Sequence, residues 1–77
     1  MDKIFLTISE VSQKFEEPQH VLRYWERQFE VLKPTQSVNR RYYRSKDIEI
    51  ISNIKKLLRD DMFTIEGAKK KLNEMYG

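Results

Sequence analysis

The stretch from Glu17 to Arg44 constrains this chain more than any other. It reads Glu-Pro-Gln-His-Val-Leu-Arg-Tyr-Trp-Glu-Arg-Gln-Phe, then a short basic connection, then Asn-Arg-Arg-Tyr-Tyr-Arg. Pro18 suits the first position of a helix, where its fixed φ is helical and its missing N–H would have had no partner. Val21, Trp25 and Phe29 then recur four apart and share one side, so they can face a core, and Leu22 widens that stripe. Gln19, Arg23, Arg27 and Glu30 fall on another side, with His20 and Tyr24 at its edge. A face of arginines, an amide, an imidazole and a phenol can meet phosphates and base edges. The pattern predicts a DNA-recognition helix followed by a basic hairpin.

The rest of the chain supplies what such a helix needs around it. Thr7-Ile8-Ser9-Glu10 is a capping box, in which the hydroxyl and the carboxylate satisfy each other's free backbone N–H groups. Ile8, Val11 and Phe15 follow at helical spacing, giving a helix of about two turns. It ends before Pro18, because a residue preceding proline is pushed out of the α region. Two short helices across a tight turn make a helix-turn-helix, although this turn has no glycine. After the second helix, Val31-Leu32-Lys33 and Arg41-Tyr42-Tyr43 read as short strands. Thr35 to Asn39 would connect them, with Asn39 in a left-handed position; an unstructured basic loop is the alternative. Ser45 is the natural cap of a third helix to about Arg59, with Ile48, Ile51, Ile54, Leu57 and Leu58 as its apolar side. Asp60 to Phe63 breaks it. Thr64 caps a fourth helix in which Ile65, Ala68, Leu72 and Met75 recur, and Gly67 inside that helix points to close packing.

Seventy-seven residues make one domain with a marginal core. No cysteine is present, which excludes a disulfide framework and a thiolate metal site, and the single His20 cannot form a metal site alone. No apolar run reaches the length of a transmembrane helix, and the three apolar residues Ile4 to Leu6 are too few for a signal peptide. The default compartment is therefore the cytoplasm. Net charge is only +3, but its distribution is uneven. Between Glu30 and Asp47 there is no acidic residue, while Lys33, Arg40, Arg41, Arg44 and Lys46 lie there. Beside an arginine-bearing helix face, that run points to nucleic acid. Dispersed acidic groups and the absence of a glycine-rich phosphate loop speak against an enzyme, and no cofactor is implied.

Several of these stretches together resemble the DNA-binding domain of MerR-family transcription regulators. They are Val-Leu-Arg-Tyr-Trp-Glu (21–26), Lys33-Pro34, Arg40-Arg41-Tyr42-Tyr43-Arg44, the capped helix with Asp47-Ile48, and Phe63-Thr64-Ile65. The resemblance runs from about Phe5 to Leu72. Asn39 stands where a glycine is common, and the turn before Pro18 lacks the usual glycine. The family implies a mostly α fold with a small β-hairpin: a winged helix-turn-helix of about four helices in a single domain spanning 1–77. The helix-turn-helix would occupy about 7–30, the wing about 31–44, and the later helices about 45–59 and 64–76. It also implies a bacterial, cytoplasmic, nucleoid-associated regulator whose partner is double-stranded DNA at a promoter inverted repeat. Homodimerisation through a long helix beyond Gly77 is expected, the present chain then being a piece that ends before that helix is complete; a naturally minimal protein is the alternative. RNA polymerase is a further partner the family implies, and regulation would work by bending and twisting the DNA.

Residue by residue, Arg23 matches the family arginine placed against the phosphate backbone. The Tyr24 hydroxyl can reach a phosphate while its ring packs, and Arg27 shares the outward face. Gln19 and His20 lie in the first turn, where a recognition helix reaches base edges. Trp25 is assigned to the core, and Glu26, with the wrong charge for phosphate, to pairing with a wing arginine. Lys33, Arg40, Arg41, Tyr43 and Arg44 are the expected backbone contacts of the wing. Strand alternation separates Tyr42 from Arg41 and Tyr43, so Tyr42 is expected to pack inward. Two other readings fit parts of the pattern: an excisionase-like architectural DNA-binding protein, and a protein-interaction module using Lys69-Lys70-Lys71 and the third helix.

Overall fold

A computed structural model describes residues 5–37 and 40–77, apart from the side chains of residues 36, 37 and 40. The elements follow in the order β1 (Leu6–Thr7), α1 (Ile8–Phe15), α2 (Gln19–Gln28), β2 (Thr35–Ser37), β3 (Arg40–Tyr43), α3 (Ser45–Lys55) and α4 (Ile65–Tyr76). Four helices and a small antiparallel sheet make a winged helix-turn-helix.

Helix α1 starts on the capping box expected of it: Glu10 N–H donates to Thr7 Oγ1 at 3.2 Å, and Thr7 N–H to Glu10 Oε1 at 2.9 Å. It stops because Glu16 turns left-handed, at φ 54°. Glu17 N–H then reaches back to Ser12 O at 3.1 Å, the six-residue closure that usually accompanies a glycine. A glutamate therefore does here what glycine does more cheaply. Pro18 is the residue before α2 rather than its first residue, with ψ at 148°. Its carbonyl, accepting from Val21 N at 3.0 Å and Leu22 N at 3.2 Å, opens the helix.

The wing differs in register from its expected form. Val31 to Lys33 is not a strand; a turn there sends Leu32 into the core at 2 % exposure. The first wing strand is Thr35–Ser37, within the polar stretch expected to connect the strands. An edge strand is held by its backbone ladder, so polar side chains do not disqualify it, whereas burial of Leu32 requires the chain to bend. Thr35 pairs with Tyr42, Gln36 with Arg41 and Ser37 with Arg40. The hairpin tip, including Asn39 and its expected left-handed backbone, lies outside the described residues. Leu6 and Thr7 add a third strand on the other side of β3, opposite Tyr43 and Tyr42, giving the order β1-β3-β2. Two residues are too few to show alternation, and this strand has no local signal.

Arg44, not Ser45, is the residue that caps α3: its N–H donates to Asp47 Oδ2 at 3.0 Å, and that carboxylate is buried. The helix continues past Lys55 as a π-helical turn, Lys56–Asp60, closed by Asp61 N–H on Lys56 O at 2.9 Å. Thr64 then caps α4 by accepting from Gly67 N at 3.0 Å. The closest approach to Gly67 comes from this same cap: a Cβ there would meet Thr64 Oγ1 at 3.2 Å and the Phe63 ring at 3.4 Å.

Val11, Leu22, Trp25, Phe29 and Tyr43 meet Ile50, Ile51, Ile54 and Leu57 of the α3 run and Ala68 and Leu72 of α4 in one core. Leu22 lies at the centre of the α2 stripe, and Val21 at its half-buried edge. In α3, Ile50 is fully buried and unanticipated, while Ile48 and Leu58 are only partly covered. Met75 is 48 % exposed, so α4 packs chiefly through Ala68 and Leu72, with Ile65 and Tyr76 partly buried alongside. The end of α4 is fastened by Tyr76, whose hydroxyl accepts from Asn53 Nδ2 at 2.6 Å and donates to Glu49 Oε2 at 2.9 Å.

Candidate nucleic-acid interface

Burying Leu22, Trp25 and Phe29 fixes which way the rest of α2 points, because residues off that stripe have no core to enter. His20, Arg23, Tyr24 and Arg27 are exposed and Gln19 is half-exposed. Arg23 Nη2 is 3.5 Å from Gln19 Oε1, a turn below it, and the Arg27 guanidinium lies 6.0 Å from the centre of the Tyr24 ring. The helix thus presents two solvated guanidinium groups one turn apart, beside an amide, an imidazole and a phenol. Lys33 and Arg44 are exposed as well, Arg44 lying 5.3 Å from the Phe5 ring centre. The Arg40 backbone is in β3, but its side chain lies outside the description.

The wing is bonded to this helix through Glu26. Arg41 Nη1 lies 3.3 Å from Glu26 Oε1, and the Tyr43 hydroxyl donates to Glu26 Oε2 at 2.6 Å. The pairing anticipated for Glu26 with a wing arginine is present, and it has a second member. Tyr43 is fully buried, so the inward and outward roles of the two tyrosines are reversed. Tyr43 is a core residue instead of an outward phosphate contact, and Tyr42 is half-buried, edge-on to Phe5 with ring centres 6.0 Å apart. The alternation itself holds, since Arg41 and Tyr43 do share a side. What reverses it is which side of the sheet meets the core: β3 contacts α1 and α3, and it is Tyr43 that joins the core they share. Burial first, and then the bond to Glu26, pushes the Tyr43 hydroxyl well above its usual pKa. The charges of Arg41 and Arg23 act in the opposite direction on it.

Three residues that sequence reasoning passed over hold the other end of α2. Glu17, 6 % exposed, accepts from Arg59 Nε at 3.1 Å and Nη2 at 2.8 Å, and lies 3.8 Å from Lys55 Nζ. The carboxylate bond raises the Arg59 pKa above its ordinary value. Only the missing turn glycine hinted that this junction was held by side chains. Among the described residues, no group of His, Cys, Asp or Glu could hold a metal ion, and no helix is long and apolar enough to cross a membrane.

A helix-turn-helix with a cationic outward helix, bonded to a basic two-stranded wing, defines the winged class of DNA-binding domains. The chain matches the model of the MerR HTH family regulatory proteins over residues 6–75, nearly its whole length, and belongs to that family. It is thus a DNA-binding domain of transcription regulation, from a family of regulators rather than enzymes. No curated protein and no solved structure matches it.

Proposed function

We propose that the chain reads double-stranded promoter DNA as one half of a homodimer on an inverted repeat, with α2 in the major groove and the wing along the adjacent backbone. The observation that carries this reading is the outward row of half-exposed Gln19 and exposed Arg23 and Arg27 on a helix whose opposite side is locked into the core. Gln19 and His20, in the first turn, are assigned to base edges. Arg23, Tyr24, Arg27, Lys33, Arg40, Arg41 and Arg44 are assigned to phosphates. Helix and wing grip the DNA as one unit because Glu26 joins them, and such a grip on both half-sites distorts the promoter, with RNA polymerase the partner that senses the distortion. The bacterial cytoplasm, at the nucleoid, is the compartment that follows.

The test is a titration of the chain into a pool of labelled duplexes at two salt concentrations, alongside Arg23→Ala. If Arg23 neutralises one phosphate, the variant binds every sequence more weakly and its log–log salt slope is shallower by about one unit. Enrichment of an inverted repeat supports the dimer. Loss of affinity for a single sequence would move Arg23 from phosphate to base contact, and a folded chain that binds no duplex at low salt would overturn the proposal.

A further inference from the structure

The recognition helix is held at two places by carboxylates. Glu26, late in α2, ties it to the wing; Glu17, just before its start, ties it to the far end of α3, 42 residues along the chain. Glu17 is the more buried of the two, and both of its oxygens are taken by one guanidinium edge. The same junction is fastened through the backbone. Ser12 Oγ donates to Glu17 O at 2.5 Å, and Lys55 Nζ donates to Phe15 O. Arg59 stands in the π-helical turn, whose wider winding shifts its side chain around the axis from where a continued α-helix would put it, and its guanidinium also lies 5.9 Å from the centre of the Trp25 ring. The turn between α1 and α2 is thus gripped from α3, on a left-handed glutamate instead of a flexible glycine.

We infer that Glu17, through Arg59 and Lys55, is a positioning residue that sets the entry angle of α2 into the major groove and so governs sequence discrimination. The inference rests on the DNA-binding reading above. A fork of two hydrogen bonds fixes direction as well as distance. A helix released at its first turn but still held by Glu26 to the wing and by Trp25 and Phe29 in the core would tilt about that second half. Its first-turn residues, Gln19 and His20, would move most, and its phosphate contacts would adjust through long flexible side chains. Discrimination should therefore fall before general affinity does.

The experiment compares the wild-type chain with Glu17→Ala, Glu17→Gln and Arg59→Met, and with Tyr76→Phe as a control that weakens the α3–α4 contact instead. Binding is measured to a duplex enriched from a random pool by the wild-type chain and to a scrambled duplex of equal length, at a temperature where circular dichroism shows each variant folded. Glu17→Ala is expected to lower the selected-to-scrambled affinity ratio about tenfold, the size of one lost base-pair recognition. Its affinity for the scrambled duplex and its salt slope should stay near wild type, Glu17→Gln should fall between, and Tyr76→Phe should keep the ratio. Should Glu17→Ala fail to fold, Glu17→Gln and Arg59→Met carry the same comparison. An unchanged ratio in the folded variants, or an equal fall in Tyr76→Phe, would overturn the positioning role. A folded wild-type chain that binds no duplex of the pool overturns the DNA-binding reading itself, and one that binds without enriching any sequence overturns the discrimination attributed to Glu17; both are distinct from selective wild-type binding left intact in the variants.

Discussion

Tyr43 shows how a single residue can belong to the core and to the interface machinery together. Its ring fills the space beneath β3, and its hydroxyl is spent on Glu26, which also receives Arg41. Three side chains thereby fix the helix–wing angle, and none of them is free to be altered alone. The direction of its pKa shift has a consequence for stability. The folded value lies above the unfolded value of about 10, so the contribution is complete below that pH and is lost as pH rises through the folded value. Tyr76 is raised too, by burial and then by its bond to Glu49, and shares that window. Urea unfolding at pH values from neutral to strongly alkaline should show stability falling above about pH 10. Tyr43→Phe should flatten that fall while lowering neutral stability by about 1.5–3 kcal/mol, the range for a hydrogen bond to a charged group. An equally steep alkaline fall in the variant would assign the effect to Tyr76.

At the scale of elements, the junction between α1 and α2 is the informative one. Helix ends are favoured by glycine because a left-handed backbone crowds any Cβ, at a cost of about 1–2 kcal/mol. Glu16 bears that cost at φ 54°. Glu16→Gly should therefore raise the unfolding free energy, read from a higher urea midpoint, by up to about 1 kcal/mol once the greater freedom of glycine in the unfolded chain is offset. A lowered midpoint would mean that the Glu16 side chain contributes something the backbone geometry does not show. Capping was legible where the residues at both ends of a box were present, as in Thr7 with Glu10, or where a hydroxyl preceded a helical pattern, as at Thr64. It was misplaced by one residue at Ser45, because the buried carboxylate of Asp47 reached Arg44 instead. Apolar spacing likewise found the four helices, yet Leu22, expected only to widen the α2 stripe, is buried more fully than Val21, and Ile50, outside the expected α3 stripe, is buried where Ile48 is only partly covered.

For the molecule as a whole, Trp25 is where the helices meet. It is 2 % exposed, in the core that α2 shares with β3, α3 and α4, and it lies beneath the Arg59 guanidinium. Trp25→Ala should cost roughly 3–5 kcal/mol, which a domain of this size cannot spare. Loss of the cooperative thermal transition by circular dichroism is the expected outcome; an equally stable folded variant would remove Trp25 from the core. The sequence by itself determined the four helices, the outward cationic face of α2 and the family, because periodicity and motif spacing are local properties of the chain. It also determined that Glu26 needed a basic partner. Only the tertiary structure decided that Tyr43 rather than Tyr42 packs inward, that Thr35–Ser37 is the wing strand, and that Glu17 meets Arg59. Each of these depends on which faces of distant elements come together, and the free energy of burying a side chain or pairing a charge is set by that arrangement, not by its neighbours in sequence.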